Sequence, residues 1–266
     1  MPILTMTTDW GLRDSYVAAF KGEIYSLLPA VVIIDVTHLI TVHDRLGAAH
    51  IVGNTYPHFP EGTVHFIGVY SKEGSVSKEG SNFLVVQFQN QFFVGPDSGV
   101  FALLFAGKSI QCYKLPVEPG MNTIALKKLL TNTLVSLLQG VPAAKLGTPF
   151  RELVETHFSR PVSDSSGMRG SVIYIDSFGN AVINISKSLF EQERKNRSFS
   201  IHVRRATYKI TSISTRYDNS NDGDLIALFN ENDQMEISIN RGNASSLIGI
   251  KQYDQILIEF NDNENS

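Results

Sequence analysis

Apolar positions in the first 150 residues alternate between two periods. Ile3–Thr8 is a short, apolar, β-rich run. From Asp14 to Leu28 the apolar residues fall at Val17, Phe20, Ile24, Leu27 and Leu28, a helical spacing that stops at Pro29. Val31–Val36 is dominated by β-branched residues and reads as a strand buried on both faces. Arg45–Tyr56 predicts a helix, and Thr63–Val69 and Phe83–Phe88 predict strands. Thr123–Leu138 predicts one more amphipathic helix, with Asn122 or Thr123 as its cap. Strands alternating with helices imply an α/β domain with a mostly parallel sheet between helices.

The texture changes after SRPVSDSSGMR (159–169), which is polar and turn-rich. Strand patterns then dominate, at Ser171–Asp176, Ala181–Ile185, Phe199–Arg204, Asp224–Phe229, Met235–Ile239 and Gln255–Phe260, with one short helix near Leu189–Arg194. The expected organisation is an N-terminal α/β domain over 1–160, a linker over 161–169, and a smaller, mainly antiparallel β domain over 170–266. The closing NDNENS is expected to be disordered.

Composition narrows the function. Of 266 residues, 42% are hydrophobic and 18% charged, enough apolar material for two cores. A net charge of −3 supplies no basic field, so nucleic acid is not an expected partner. Apolar runs fall well short of the ~20 residues of a membrane span, and the first residues lack a secretory pattern. A cytoplasmic protein is expected, with no membrane partner. The one cysteine, Cys112, excludes an internal disulfide and a cysteine-rich zinc site, and its apolar surroundings predict a buried thiol. The seven histidines show no ligand spacing, so no metal is expected.

Candidate chemistry begins at TMTTDWGLRD (5–14). A strand ends at Thr8, which leaves Asp9, Trp10 and Gly11 at its carboxyl end. Ligands bind there in open α/β sheets, and a carboxylate so placed suits ribose hydroxyls. On position alone, a cap for the following turn is the simpler role for Asp9.

TTDWGLRDSYV, IIDVTH (33–38), YPHFPEGTVHF (56–66), FVGPDSG (93–99), IDSFGN (175–180) and MEISINRGNA (235–244) together resemble one family. It comprises the S-adenosylmethionine (SAM) hydroxide adenosyltransferases, which form adenosine, and the related fluorinases and chlorinases. The six motifs follow the family's order and spacing across about residues 3 to 260. The resemblance implies a homotrimer whose sites lie between one subunit's N-terminal domain and a neighbour's C-terminal domain. It implies SAM or adenosine as ligand and no separate cofactor.

Carried over by position, Asp9 accepts from the ribose hydroxyls and Trp10 lies beside it. Asp176 holds the methionine ammonium and Asn180 lies near the methionine carboxylate. Phe178–Gly179–Asn180 has the form of a plain β-turn, but with Asp176 beside it and the family's pattern around it, the resemblance favours ligand contact, Phe178 included. Tyr217 falls where the family stacks an aromatic on adenine, and Asn240 falls in the adenine-contacting segment. By themselves, a loop tyrosine also serves as a surface anchor and a strand-end asparagine as a turn former.

The resemblance fails at the hydrolases' catalytic triad. They carry an aspartate in a Val-Asp-Pro-Gly-Val-Gly run, an arginine shortly beyond it, and a histidine in Phe-His-Gly-Arg-Asp. Here the first stretch is GVYSKEGS, with Tyr70 in the aspartate's place. Lys78 is the cation nearest the arginine position, and Ala125 stands where the histidine should be. The halogenating relatives also have a tyrosine here, followed by small residues; Lys72 and Glu73 follow it in this chain. A carboxylate close by repels a halide, so halogenation ranks below hydrolysis. Glu231, Asn232 and Asp233 replace a Ser-Ser-Gly segment that supplies hydroxyls near the methionine end.

Two readings follow. One is an enzyme that displaces methionine at C5′ of SAM, with Tyr70, Glu73 and His43 as substitute catalytic candidates. The other is a catalytically inactive trimer that binds SAM or a nucleoside.

Overall fold

The structure, a computed structural model, describes residues 1–70, 82–154, 160–204 and 208–261. The chain divides into two compact units, Met1–His157 and Phe158–Ser266.

The first unit contains strands β1 (Ile3–Thr8), β2 (Val32–Thr37), β3 (Val64–Gly68), β4 (Phe83–Phe88), β5 (Gln91–Pro96), β6 (Gln111–Lys114) and β7 (Thr148–Pro149). Its helices are α1 (Tyr16–Leu27), α2 (Arg45–Thr55), α3 (Val100–Leu104) and α4 (Thr123–Leu138). The seven-stranded sheet runs β2-β1-β3-β5-β4-β6-β7. The expected mostly parallel sheet is mixed. Pairing is parallel from β2 through β1 and β3 to β5, and antiparallel from β5 through β4 and β6 to β7.

The alternation of side chains along each strand splits the core into two layers. Leu4, Met6, Val64 and Phe66 face α1 and α4, meeting Phe20, Ile24, Leu130 and Leu134. Ile67, Val69, Leu84, Val86 and Phe93 point the other way, onto Ala48 and Val52 of α2 and Phe101 of α3. Asn122 caps α4 as anticipated, its side chain accepting from Ala125 N at 2.9 Å.

One expectation fails. β2 is an edge strand with partly exposed residues, not a strand buried on both faces. β-branched residues favour any extended segment, edge or centre. Asp35, exposed and paired with Lys21, is the residue that marks the edge.

The second unit contains strands β8 (Val162–Ser163), β9 (Gly167–Ile175), β10 (Ala181–Ser186), β11 (Ser198–His202), β12 (Lys209–Ile210), β13 (Leu225–Phe229), β14 (Gln234–Ile239) and β15 (Gln255–Asn261), with helices α5 (Lys187–Arg194) and α6 (Ala244–Ile248). All of its strand pairings are antiparallel, in the order β12-β11-β15-β9-β10-β14-β13, with β8 alongside β9. The sheet curls towards a barrel, with Ile213 bridging to Ala227 of β13. Met168, Val172, Ile183, Phe190, Ile201, Ile237 and Ile258 belong to its core. The segment 161–169, read from sequence as a linker, carries β8 and the first residues of β9. Asn261 closes β15, and the rest of NDNENS lies outside the described residues.

Candidate functional site

Strand order creates the site of the first unit. The chain leaves β1 through α1 to β2 on one side, then returns through α2 to β3 on the other. The carboxyl ends of β1 and β3 therefore flank the point where the winding reverses, the place where open α/β sheets bind ligands. Asp9 and Trp10 follow β1; Val69 and Tyr70 follow β3. Asp9 N donates to Gly68 O at 3.4 Å across the two ends.

Trp10 fills the gap beneath. Its ring packs edge-on to Phe20 at 5.3 Å and Phe66 at 5.6 Å. Gly68 leaves room for it, since a Cβ there would lie 3.1 Å from the indole and 3.0 Å from the Thr8 methyl.

A buried bracket fixes residues 8–11. His38 Nδ1 lies 2.8 Å from Thr8 Oγ1, which also accepts from Trp10 N at 3.3 Å. Thr8 Oγ1 thus bridges the His38 ring and the Trp10 backbone. His38 Nε2 sits 3.0 Å from Asp35 Oδ1, off the line of a good hydrogen bond. His38 O accepts from Gly11 N at 2.8 Å, so one residue holds both ends of the Asp9–Trp10 segment. His38 thus structures this loop through both its ring and its backbone.

A cavity of about 420 Å³ opens above this floor, within the range of small-molecule sites. Asp9, Trp10, His43 and Tyr70 line it, and Leu126, Lys127 and Leu130 of α4 close the far wall. Among the described residues its walls are mainly apolar, with the Asp9 carboxylate as their acidic group. Burial raises the Asp9 carboxyl above the usual carboxylate range, and the His43 N–H, donating to Oδ2 at 3.1 Å, partly offsets that. Burial, and then the charge of Asp9, pushes the Tyr70 phenol up. Its ring rests edge-on against Phe83 at 6.0 Å.

His43 has a positive φ of 68°, uncommon for a residue with a side chain. Its Nδ1 lies 3.2 Å from Tyr70 O. Lys127 Nζ is engaged by Glu23 Oε2 at 2.8 Å. Ala125, on the first turn of α4, is exposed and presents only a methyl group. Lys72, Glu73 and Lys78 lie outside the described residues.

The second unit gathers the other candidates at the β9–β10 turn. Asp176 Oδ1 accepts from Phe178 N at 2.9 Å and Asn180 N at 2.8 Å, while Oδ2 accepts from Asn180 Nδ2 at 2.9 Å. Asp176 and Asn180 thus build the turn together, and it holds Phe178 77% exposed. Tyr217 OH donates to Glu236 Oε1 at 2.8 Å, and Glu236, buried on β14, also accepts from Ser238 Oγ at 2.9 Å. Burial pushes the Tyr217 phenol up; the Glu236 bond and the charges of Glu236, Asp176 and Glu231 add to it. Glu236 went unnoticed in the sequence because it sits inside a strand motif, where its partner Tyr217 is 19 residues away.

Asn240 is occupied internally, its amide donating to Ser220 O at 2.7 Å. Glu231, Asn232 and Asp233 form an exposed turn between β13 and β14.

Cys112 is free and buried, its thiol pushed up to about 12 by burial and then by the charge of Asp97. A thiol so raised is a poor nucleophile at neutral pH. Among the described residues, no cluster of three or more His, Cys, Asp or Glu is arranged to hold a metal. No helix among them is long and apolar enough to cross a membrane.

Comparison with known proteins agrees with this architecture. Residues 4–147 match the family model described as the SAM hydroxide adenosyltransferase N-terminal domain, and residues 170–257 match that of the C-terminal domain. The chain is 26% identical over 268 residues to an (R)-S-adenosyl-L-methionine hydrolase of Salinispora arenicola, with 97% of both chains covered. A fluorinase of Actinoplanes sp. is 25% identical over 221 residues, covering 72% of this chain and 74% of the relative. An uncharacterized conserved protein from Thermotoga maritima shares the fold at a TM-score of 0.83 and 24% identity, covering 96% of this chain and 99% of that one.

Proposed function

The chain belongs to the SAM hydroxide adenosyltransferase family, and from that membership we propose that it binds SAM and displaces methionine from C5′ with water, releasing adenosine. The observation that carries this reading is the half-buried Asp9 carboxylate facing Tyr70 across one cavity at the β1–β3 switch point. Ribose hydroxyls meet a desolvated carboxylate there, and a charge-assisted hydrogen bond is stronger where water is excluded. The apolar wall of Trp10, Tyr70, Leu126 and Leu130 suits the nucleoside body.

Asp176, with Asn180 beside it, is the carboxylate we assign to the methionine ammonium, and Tyr217 the ring assigned to adenine. Base stacking contributes about 1–3 kcal/mol, and the bond to Glu236 supports that role by orienting the phenol. We assign these groups to a neighbouring copy in a homotrimer. Two sets of exposed apolar side chains support the assembly: Leu12, Leu39 and Ile124, close in sequence to residues of the cavity, and Phe178 and Leu247 in the second unit. Sedimentation velocity of the purified protein tests it, with a monomer as the contrary result.

A second reading, ligand binding without turnover, draws on Ala125, where the family's histidine is replaced by a group that carries no proton. Incubation with SAM, with adenosine and methionine measured by chromatography, separates the two when paired with calorimetric titration of SAM. Product formation supports the enzyme. Binding without product supports the second reading, and absence of binding refutes both.

A further inference from the structure

We infer that His43 is the general base of this chain, taking the proton of the attacking water at Nε2 in place of the missing triad. The inference rests on the reading of the site as one that hydrolyses SAM. It comes from hydrogen-bond bookkeeping around one ring. A carbonyl oxygen can only accept, so the 3.2 Å contact with Tyr70 O requires the hydrogen on His43 Nδ1. In the neutral ring the other nitrogen, Nε2, then carries the lone pair. A base oriented through Nδ1–H and acting through Nε2 is the arrangement of serine hydrolases, reached here with a backbone carbonyl as the orienting group.

The backbone supports the same conclusion. His43 is held at φ 68°, and its N–H is anchored on Asp9 Oδ2, the carboxylate assigned to the ribose. An uncommon conformation persists where surrounding contacts fix it, and such residues cluster at functional sites. The ring sits at the exposed rim of the cavity, so a proton accepted there can pass to solvent.

The step balances as written. Water oxygen forms a bond to C5′ as the C5′–sulfur bond breaks, and that electron pair leaves with methionine as a neutral thioether. The water proton goes to Nε2 and then to solvent, so SAM and water give adenosine, methionine and one proton.

The test uses the full-length protein with SAM. His43→Asn tolerates the positive φ and keeps the backbone bond to Asp9, so it removes the base with little disturbance of the loop. We expect its kcat to fall by about a hundredfold or more, with KM within about threefold. His43→Gly, which also accepts the conformation, should recover activity with added imidazole. The pH–rate profile of the wild type should differ in shape from that of His43→Asn, which lacks the base. Among the described residues, Asp9, Tyr16, Tyr70 and Lys127 are the other titratable groups lining the cavity, so Asp9→Asn is profiled alongside. Nitrogen-15 NMR should show the His43 ring protonated at Nδ1 at neutral pH.

The inference is overturned by near-wild-type kcat in His43→Asn, by a loss confined to KM, or by the opposite tautomer. Loss in Glu73→Gln with retention in His43→Asn also overturns it. Wild-type protein that binds SAM without forming adenosine removes the base but leaves the ligand reading standing, whereas protein that does not bind SAM ends both.

Discussion

Replacing Asp9 with asparagine keeps the side chain's shape while removing its charge and one acceptor oxygen. The carboxylate accepts from His43 N through Oδ2 and is assigned two ribose hydroxyls as further donors. Asparagine offers a single carbonyl oxygen, and its NH₂ faces groups that themselves donate. At least one charge-assisted bond is lost, worth about 1.5–3 kcal/mol, so adenosine should bind roughly 10- to 150-fold more weakly. The fold should not suffer. Burial raises the Asp9 pKa in the folded chain, so its charge costs stability at neutral pH, and Asp9→Asn should melt at the same temperature or higher. Calorimetric titration of both proteins with adenosine and 2′-deoxyadenosine isolates the contact. The wild type should lose affinity on removal of the 2′ hydroxyl, and the variant should be nearly indifferent to it. Equal adenosine affinity in the two proteins, or an unchanged deoxy penalty in Asp9→Asn, would refute the assignment.

Two further outcomes follow from buried polar contacts. Thr8→Val leaves His38 Nδ1 and Trp10 N without their shared partner; Trp10 is the chain's one tryptophan, so its emission should shift and become more quenchable, while Thr8→Ser stays like wild type. His65 is buried between Thr5 Oγ1 at 2.7 Å and Gln91 Oε1 at 2.9 Å, and burial lowers its pKa from 6.5 to about 4. Its neutral form is favoured by folding, so stability present above pH 6.5 is lost as pH falls towards 4, by up to about 3 kcal/mol. His50, also lowered to about 4, acts in the same direction. Urea midpoints that match at pH 7 and pH 4.5 would contradict this.

The periodic elements were legible in the chain because burial of one face imposes its own spacing. α1, α2, α4 and the strands from β9 to β15 that bear long apolar patterns all fall where those patterns lie. Asp9 was legible too, since a polar residue directly after a buried strand has few places to go. Motif order across the two units carried the family, and Tyr70 and Ala125 could be read as departures from the motif pattern residue by residue. Tertiary structure was needed wherever a property belongs to a pair. The edge position of β2 depends on strand order, which a β-branched run does not encode. His38 and Thr8 are 30 residues apart, Tyr217 and Glu236 are 19 apart, and His43 and Tyr70 are 27 apart. Each side chain alone has several roles open to it. A hydrogen bond requires donor and acceptor within about 3 Å and properly aligned, and only the folded chain brings such separated residues to that distance.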